Sequence, residues 1–208
     1  MADISIFMPK LLQYAPNCPE TSAYDAIRSA SIEFCERTRL WRYSMSLTFS
    51  TSGTVSFSSI PDAVVHDIEK ARWNGNIELL PASIDEVDSI YGVDWRDDAV
   101  AGQPGYFTQQ NEDEITLVPF EAGILNLNVW LKPNQSTETI PDFIASRYLD
   151  VIQAGALYMI LTLQNQPFYN PELAVSFRNK FEDRLFKLSK QQVSGQQRAR
   201  LRIKSSYI

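Results

Sequence analysis

Two hydrophobic periods alternate along this chain, and the switches between them mark out its elements. From Thr21 to Trp41, in TSAYDAIRSASIEFCERTRLW, Ile27, Ala30, Phe34 and Trp41 fall on one helical stripe, which Thr38 completes. Ser22 and Asp25 supply an N-cap and an acid near the positive helix end. Glu33 and Arg37 stand four apart in the favourable order. Ile32 and Leu40 lie off the main stripe, which predicts a second packing surface. Ile32, Glu36, Arg39 and Leu40 are its candidate contacts to another subunit.

At Tyr43 the period changes to two. Tyr43, Met45, Leu47 and Phe49 alternate with Ser44, Ser46, Thr48 and Ser50, the pattern of a half-buried strand. A turn at Ser52-Gly53 leads into a short strand near Val55 to Phe57, and Asn74-Gly75 between ARW and NIEL signals a hairpin. DEVDSIYGVDWRDDAVAGQPG reads as a loop with one helical turn at most. YFTQQNEDEITLVPF reads as a second hairpin with an acidic tip at Glu112 to Glu114. Leu125, Leu127, Val129 and Leu131 then alternate with Asn126, Asn128, Trp130 and Lys132.

Helical spacing returns at Pro141, a favourable first-turn residue. Apolar residues nearly all round from Phe143 onward predict one helix of about 24 residues, about 36 Å long and buried on several sides. Asn170-Pro171 opens a last helix, on which Ala174, Phe177, Phe181, Leu185 and Leu188 form a stripe. The expected class is α+β: a three-helix bundle, one helix N-terminal and two C-terminal, with an inserted antiparallel β unit and an extended C-terminal arm. The boundaries predicted are 1–42 plus 139–193 for the bundle, 43–138 for the β domain and 194–208 for the arm.

The arm departs from the rest of the chain. In QQRARLRIKSSYI, Arg198, Arg200, Arg202 and Lys204 alternate with Ala199, Leu201 and Ile203, on a chain of net charge −6. The first 141 residues hold 9 Lys and Arg against 20 Asp and Glu, net −11, and residues 142–208 hold 10 against 5, net +5. That split suits head-to-tail assembly or docking on an acidic partner, or is a solvated surface with unevenly placed charges. Four basic residues on an acidic body are too few for nucleic acid at physiological salt. The arm is expected to add to a partner's sheet edge, the alternative being a loose terminus.

Composition narrows the chemistry. With 44% hydrophobic and 21% charged residues the chain is globular. Cys18 and Cys35 are expected as reduced thiols. No basic-then-apolar leader opens the sequence, and IQAGALYMILTL is too short to span a bilayer, so a soluble protein of a reducing compartment is expected. His66, the one histidine, has no nucleophile motif near it. Asp94, Asp97 and Asp98, and Glu112, Asp113 and Glu114, lack the calcium-loop spacing and read as solvated loops. No phosphate-cradling glycine motif occurs. No catalytic, metal or cofactor site is expected.

Four segments carry a resemblance. They are APNCPETSAYDAIRSASIEFCERTRLWRYSMSL; NGNIELLPASIDEVDSIYGVDW with GQPGYF; ITLVPF followed by LNLNVWLKP; and IPDFIASRYLDVIQAGALYMILTLQNQPFYNPELAVSFRNKF. In this order and spacing the chain resembles bacteriophage head–tail adaptor (connector) proteins of the podophage-like adaptor and tail tubular protein A group. The resemblance implies a structural, non-enzymatic virion protein at the head–tail junction, assembled in the host cytoplasm. It implies a ring of copies, commonly a dodecamer, beneath the portal protein, extending the DNA channel and carrying a tail or nozzle protein below. DNA would pass without specific binding, and no membrane is involved. Adaptors of this group often stay monomeric until they meet the portal. Their C-terminal segment typically embraces the portal, which makes Arg198, Arg200, Arg202 and Lys204 candidates for electrostatic docking, and Leu201 and Ile203 for burial. The alternative weighed against this is a monomeric ligand- or glycan-binding β module with Trp73, Tyr91, Trp95, Tyr106 and Phe107 as an aromatic platform. An enzyme using His66 and a nearby carboxylate ranks third.

Overall fold

The computed structural model describes residues 1–57, 60–96 and 100–194. Its elements, in chain order, are β1 (Ala2–Asp3), α1 (Met8–Tyr14), α2 (Glu20–Thr38), β2 (Arg42–Phe49), β3 (Thr54–Ser56), β4 (Ala63–Trp73), β5 (Ile77–Pro81) and α3 (Ile84–Tyr91). There follow β6 (Tyr106–Thr108), β7 (Glu114–Val118), β8 (Gly123–Pro133), β9 (Thr139–Ile140), α4 (Asp142–Arg147), α5 (Leu149–Leu161) and α6 (Pro171–Ser194). Contacts gather them into two units: Met1–Trp41 with the chain from Lys132 onward, and Arg42–Leu131.

The helical unit is organised around α5. Its apolar residues encircle the helix, so Val151, Ile152, Ala154, Ala156, Leu157, Ile160 and Leu161 are all buried, between α2 on one side and α6 on the other. Gly155 makes this close approach possible: a Cβ there would stand 3.0 Å from Ala30 Cβ and 3.0 Å from the Phe181 ring. The α2 stripe of Ile27, Ala30, Phe34 and Thr38 is buried as its period requires. The helix stops at Arg39, which turns left-handed (φ 48°) while its N–H still bonds Cys35 O at 2.9 Å. Asn170 caps α6, its Oδ1 accepting from Leu173 N at 3.1 Å. The first residues join this core. A 3₁₀ turn over Ile4–Phe7 leads into α1, burying Ile4, Phe7, Met8 and Leu11, while β1 pairs with β9.

The other unit is built on a seven-stranded sheet of order β2-β8-β4-β5-β6-β7-β3. The end strands β2 and β3 follow each other in sequence and lie in contact, so the sheet nearly closes. Met45, Leu47 and Phe49 of β2 point inward, as do Leu125, Leu127, Val129 and Leu131 of β8. Their outward partners Ser44 and Ser46 donate to Asn128 Oδ1 and Asn126 Oδ1 at 2.8 and 2.7 Å. Asn74-Gly75 turns β4 into β5 with Trp73 opposite Ile77. β5 and β6 run parallel, which a hairpin cannot achieve. The connection instead carries α3, capped by Ser83, and a 3₁₀ turn at Asp94–Arg96. Val87 and Trp95 pack on Val118 beneath this crossover, and Trp95 Nε1 donates to Asp88 Oδ1 at 2.6 Å.

This architecture corrects the expected three-helix bundle with a small antiparallel insert. The chain is α+β, with six helices among the described residues and a mixed, nearly closed sheet of seven strands. Three physical causes lie behind the difference. Residues 4–11, to which the periodic reading gave no element of their own, bury Ile4, Phe7, Met8 and Leu11 in the core. The expected long helix breaks at Tyr148 (φ −123°, ψ 19°), whose ring packs 5.2 Å from Phe34. The stretch expected as loop is the helical crossover that lets β5 and β6 pair in parallel.

Candidate assembly surfaces

On α2 the four residues expected at an inter-subunit face do not form one open patch. Ile32, Glu36 and Leu40 are half-buried and Arg39 is exposed at the helix end. Glu36 accepts from Lys132 Nζ at 2.7 Å, so part of this surface is satisfied within the helical unit. A turn away, Arg37 spans two helices: it donates to Glu33 at 3.0 Å and to both oxygens of Glu182 on α6 at 3.0 and 2.7 Å. Hydrogen bonding from Arg37 holds the Glu182 carboxyl below its ordinary 4.5, against the opposing effect of burial. At 40% and 42% exposure the bridge is screened by water, and it is worth under about 1 kcal/mol. Because the folded value is depressed, this contribution is fully present above pH 4.5 and is lost as pH falls through the lowered value. Glu182→Gln is thus expected to lower the urea midpoint slightly at pH 7 and to match the parent protein at pH 2.

α6 turns Ala174, Phe181 and Leu185 into the bundle and leaves Phe177 half-buried against Tyr14, ring centroids 5.1 Å apart. Its outward side carries Arg178 over the Tyr158 ring, and Lys180 and Arg184 at 3.8 and 4.0 Å from Asp150. Val175 and Phe186 are 56% and 58% exposed. They are eleven residues apart, which returns them to one face. Lys190 Nζ sits 3.9 Å above the Phe186 ring. The periodic reading of α6 passed over Phe186 because it follows the core stripe; its being apolar off that stripe was the signal. The docking set Arg198, Arg200, Leu201, Arg202, Ile203 and Lys204 lies outside the described residues.

The sheet unit concentrates negative charge. Arg42–Leu131 hold 4 Lys and Arg against 14 Asp and Glu, net −10, and the rest of the chain holds 15 against 11, net +4. Where α3 leaves β5, Pro81, Ala82, Ile84 and Phe107 line an open groove of about 580 Å³. Asp85 and Gln109 are at its rim. The Gln109 amide donates to the carbonyls of Glu112 and Glu114, both at 3.4 Å, which joins the groove to the acidic hairpin tip. Leu80 beside it is 58% exposed. Sequence patterning missed this groove because the helical crossover that builds it read as loop.

The side chains considered for chemistry are dispersed. His66 is half-buried within β4. Burial, aided by the charge of Glu36, pushes the Cys35 thiol up to about 12, and burial also raises that of Cys18. Trp73, Trp95 and Phe107 are buried, which takes three of the five rings of the supposed glycan platform out of solvent. Among the described residues no three His, Cys, Asp or Glu side chains converge, and no helix is long and apolar enough to cross a membrane. Asp97 and Asp98 lie outside the described residues.

Comparison with known families matches the model of the SU10 adaptor protein over residues 8–203, covering both units. No curated protein matches the chain.

Proposed function

This chain belongs to the SU10 adaptor protein family, which makes it a structural head–tail adaptor and virion component of a phage, and on that premise we propose how it works there. Its copies form a ring, of the dodecameric size common in the podophage-like group, mounted beneath the portal. The ring extends the DNA channel and presents a platform for a tail or nozzle protein. The protein acts by shape and charge, without catalysis. The observation that carries this reading is the family match over residues 8–203, which embraces the helical unit, the sheet unit and most of the basic arm.

Charge supports the conduit role. A net −10 on the sheet unit repels a phosphate backbone, so DNA can pass without adhering. The arm, with Arg198, Arg200, Arg202 and Lys204, docks on the portal, and Leu201 and Ile203 supply the buried side of the contact.

The test is to mix the chain with the portal of the same virus and image the product by negative stain. A second ring stacked under the portal is expected. It should be absent with a 1–193 truncation whose thermal midpoint stays within about 2 °C of the parent, since a terminal extension adds little to a core. Stacking that survives truncation would move the docking surface off the arm, and no stacking at all would remove the ring reading.

A further inference from the structure

Phe186 is a large apolar side chain held in water by a well-formed helix, and the structure contains a surface of matching chemistry. The ring is 58% exposed and has Lys190 stacked on it, with Lys187 on the adjacent turn position. Of the carboxylates in the preceding turn, Glu182 is held by Arg37, which leaves Asp183 as its acidic neighbour. The groove on the sheet unit is the complement of this surface. Pro81, Ala82, Ile84 and Phe107 line it, and Asp85 is the carboxylate among its lining residues. A volume of about 580 Å³ is ample for one aromatic ring, with its lysine flanks toward Asp85.

We propose that the Phe186 face of α6 in one copy docks into the Pro81–Phe107 groove of the next copy. The proposal rests on the ring reading given above and supplies its subunit contact. Knob and groove are different surfaces of one chain, so the contact is heterologous and propagates around a ring until the rotation closes. The aromatic seated in an apolar pocket is the kind of group that dominates an interface. The charges around it, Lys187 and Lys190 beside the knob and Asp85 at the groove of a unit of net −10, steer the approach and fix its direction. The same opposition keeps two knobs, or two grooves, from pairing.

The experiment places a photoreactive benzophenone amino acid at position 186 and assembles the full-length chain with the portal, using a mixture of isotopically light and heavy copies. Irradiation is expected to give light–heavy adducts mapping to residues 80–85 or 107–109 of a second copy. Adducts on the portal, adducts confined within single chains, or no adduct in rings seen by electron microscopy would each overturn the docking while leaving the ring intact. Absence of rings from the unsubstituted chain would remove the ring reading and this contact with it. As a second measure, Lys187→Glu with Lys190→Glu should lower ring yield roughly tenfold or more at physiological salt. Adding Asp85→Lys to the same chain should restore part of it. A ring yield left unchanged by the two lysine reversals, or no recovery on adding the compensating change, would also overturn the contact.

Discussion

Gly123→Ala is expected to destabilise the sheet unit by about 2–3 kcal/mol, a large loss for one methyl group. Gly123 begins β8, and a Cβ there would lie 2.4 Å from Trp73 Cζ2 and 2.9 Å from Asn74 Oδ1. Neither neighbour can yield easily. Trp73 is 1% exposed and packs edge-on to Phe49, with centroids 6.1 Å apart. Asn74 is fixed to the same strand by two bonds, its N–H to Ile124 O at 2.8 Å and its Oδ1 from Ile124 N at 3.0 Å. Urea unfolding followed by tryptophan fluorescence reads the loss. Trp73→Phe in the same chain should recover part of it by removing the ring atoms that clash. Gly53→Ala is the control: its Cβ would meet nothing closer than 3.5 Å, so a change under about 1 kcal/mol is expected. A Gly123→Ala protein as stable as the parent would show that Trp73 is not packed as described.

Phe181→Ala should cost about 3–5 kcal/mol, the range for emptying a fully buried aromatic site. Phe181 is 1% exposed and its ring sits against Gly155 of α5. The expected fall in thermal midpoint by circular dichroism is roughly 6–20 °C for a chain of this size. Phe186→Ala supplies the internal contrast. It removes the same side chain from the same helix one and a half turns later, where the ring faces water, and stability should change by under about 1 kcal/mol. Equal losses at the two positions would mean that α6 packs on a face other than the one carrying Ala174, Phe181 and Leu185.

How much of this was legible in the sequence depended on whether burial wrote a clean period. β2 and β8 alternate because each has one face inside and one in water, and both were readable. The Asn74-Gly75 hairpin and the Asn170-Pro171 helix start were readable because their local chemistry fixes the backbone without help from the fold. β4 was not. Its middle, Val64 to Lys70, places His66, Asp67, Glu69 and Lys70 at partly covered or exposed positions, and no clean alternation results. α3 was hidden because it is only eight residues long, Asp85, Glu86 and Asp88 interrupt its apolar positions, and one buried residue, Val87, anchors it. The break at Tyr148 leaves no mark in composition, since Tyr148 extends the apolar pattern it interrupts.

Of the surfaces, the sequence offered Ile32, Glu36, Arg39 and Leu40 from a spare helical stripe, and Lys132 covers part of that stripe from a strand 96 residues away. No local pattern reports a partner so distant. The groove at Phe107 likewise depends on residues 81–85 and 107–109 meeting through a parallel pairing. Phe186 could have been found by asking which apolar residue of α6 fails to share the period of the others.

The near-closure of the sheet has a consequence for handling many copies of such a protein at once. A strand with free amide and carbonyl groups along one side is a template on which another chain can polymerise, and the hazard grows with local concentration. Here the two terminal strands of the order, β2 and β3, lie against each other, and β3 is only three residues long. The border at β3 therefore offers a template of three residues only. A phage accumulates its structural proteins in a crowded cell before they are used, and a sheet whose terminal strands lie against each other presents less open border there than a flat sheet of seven strands would.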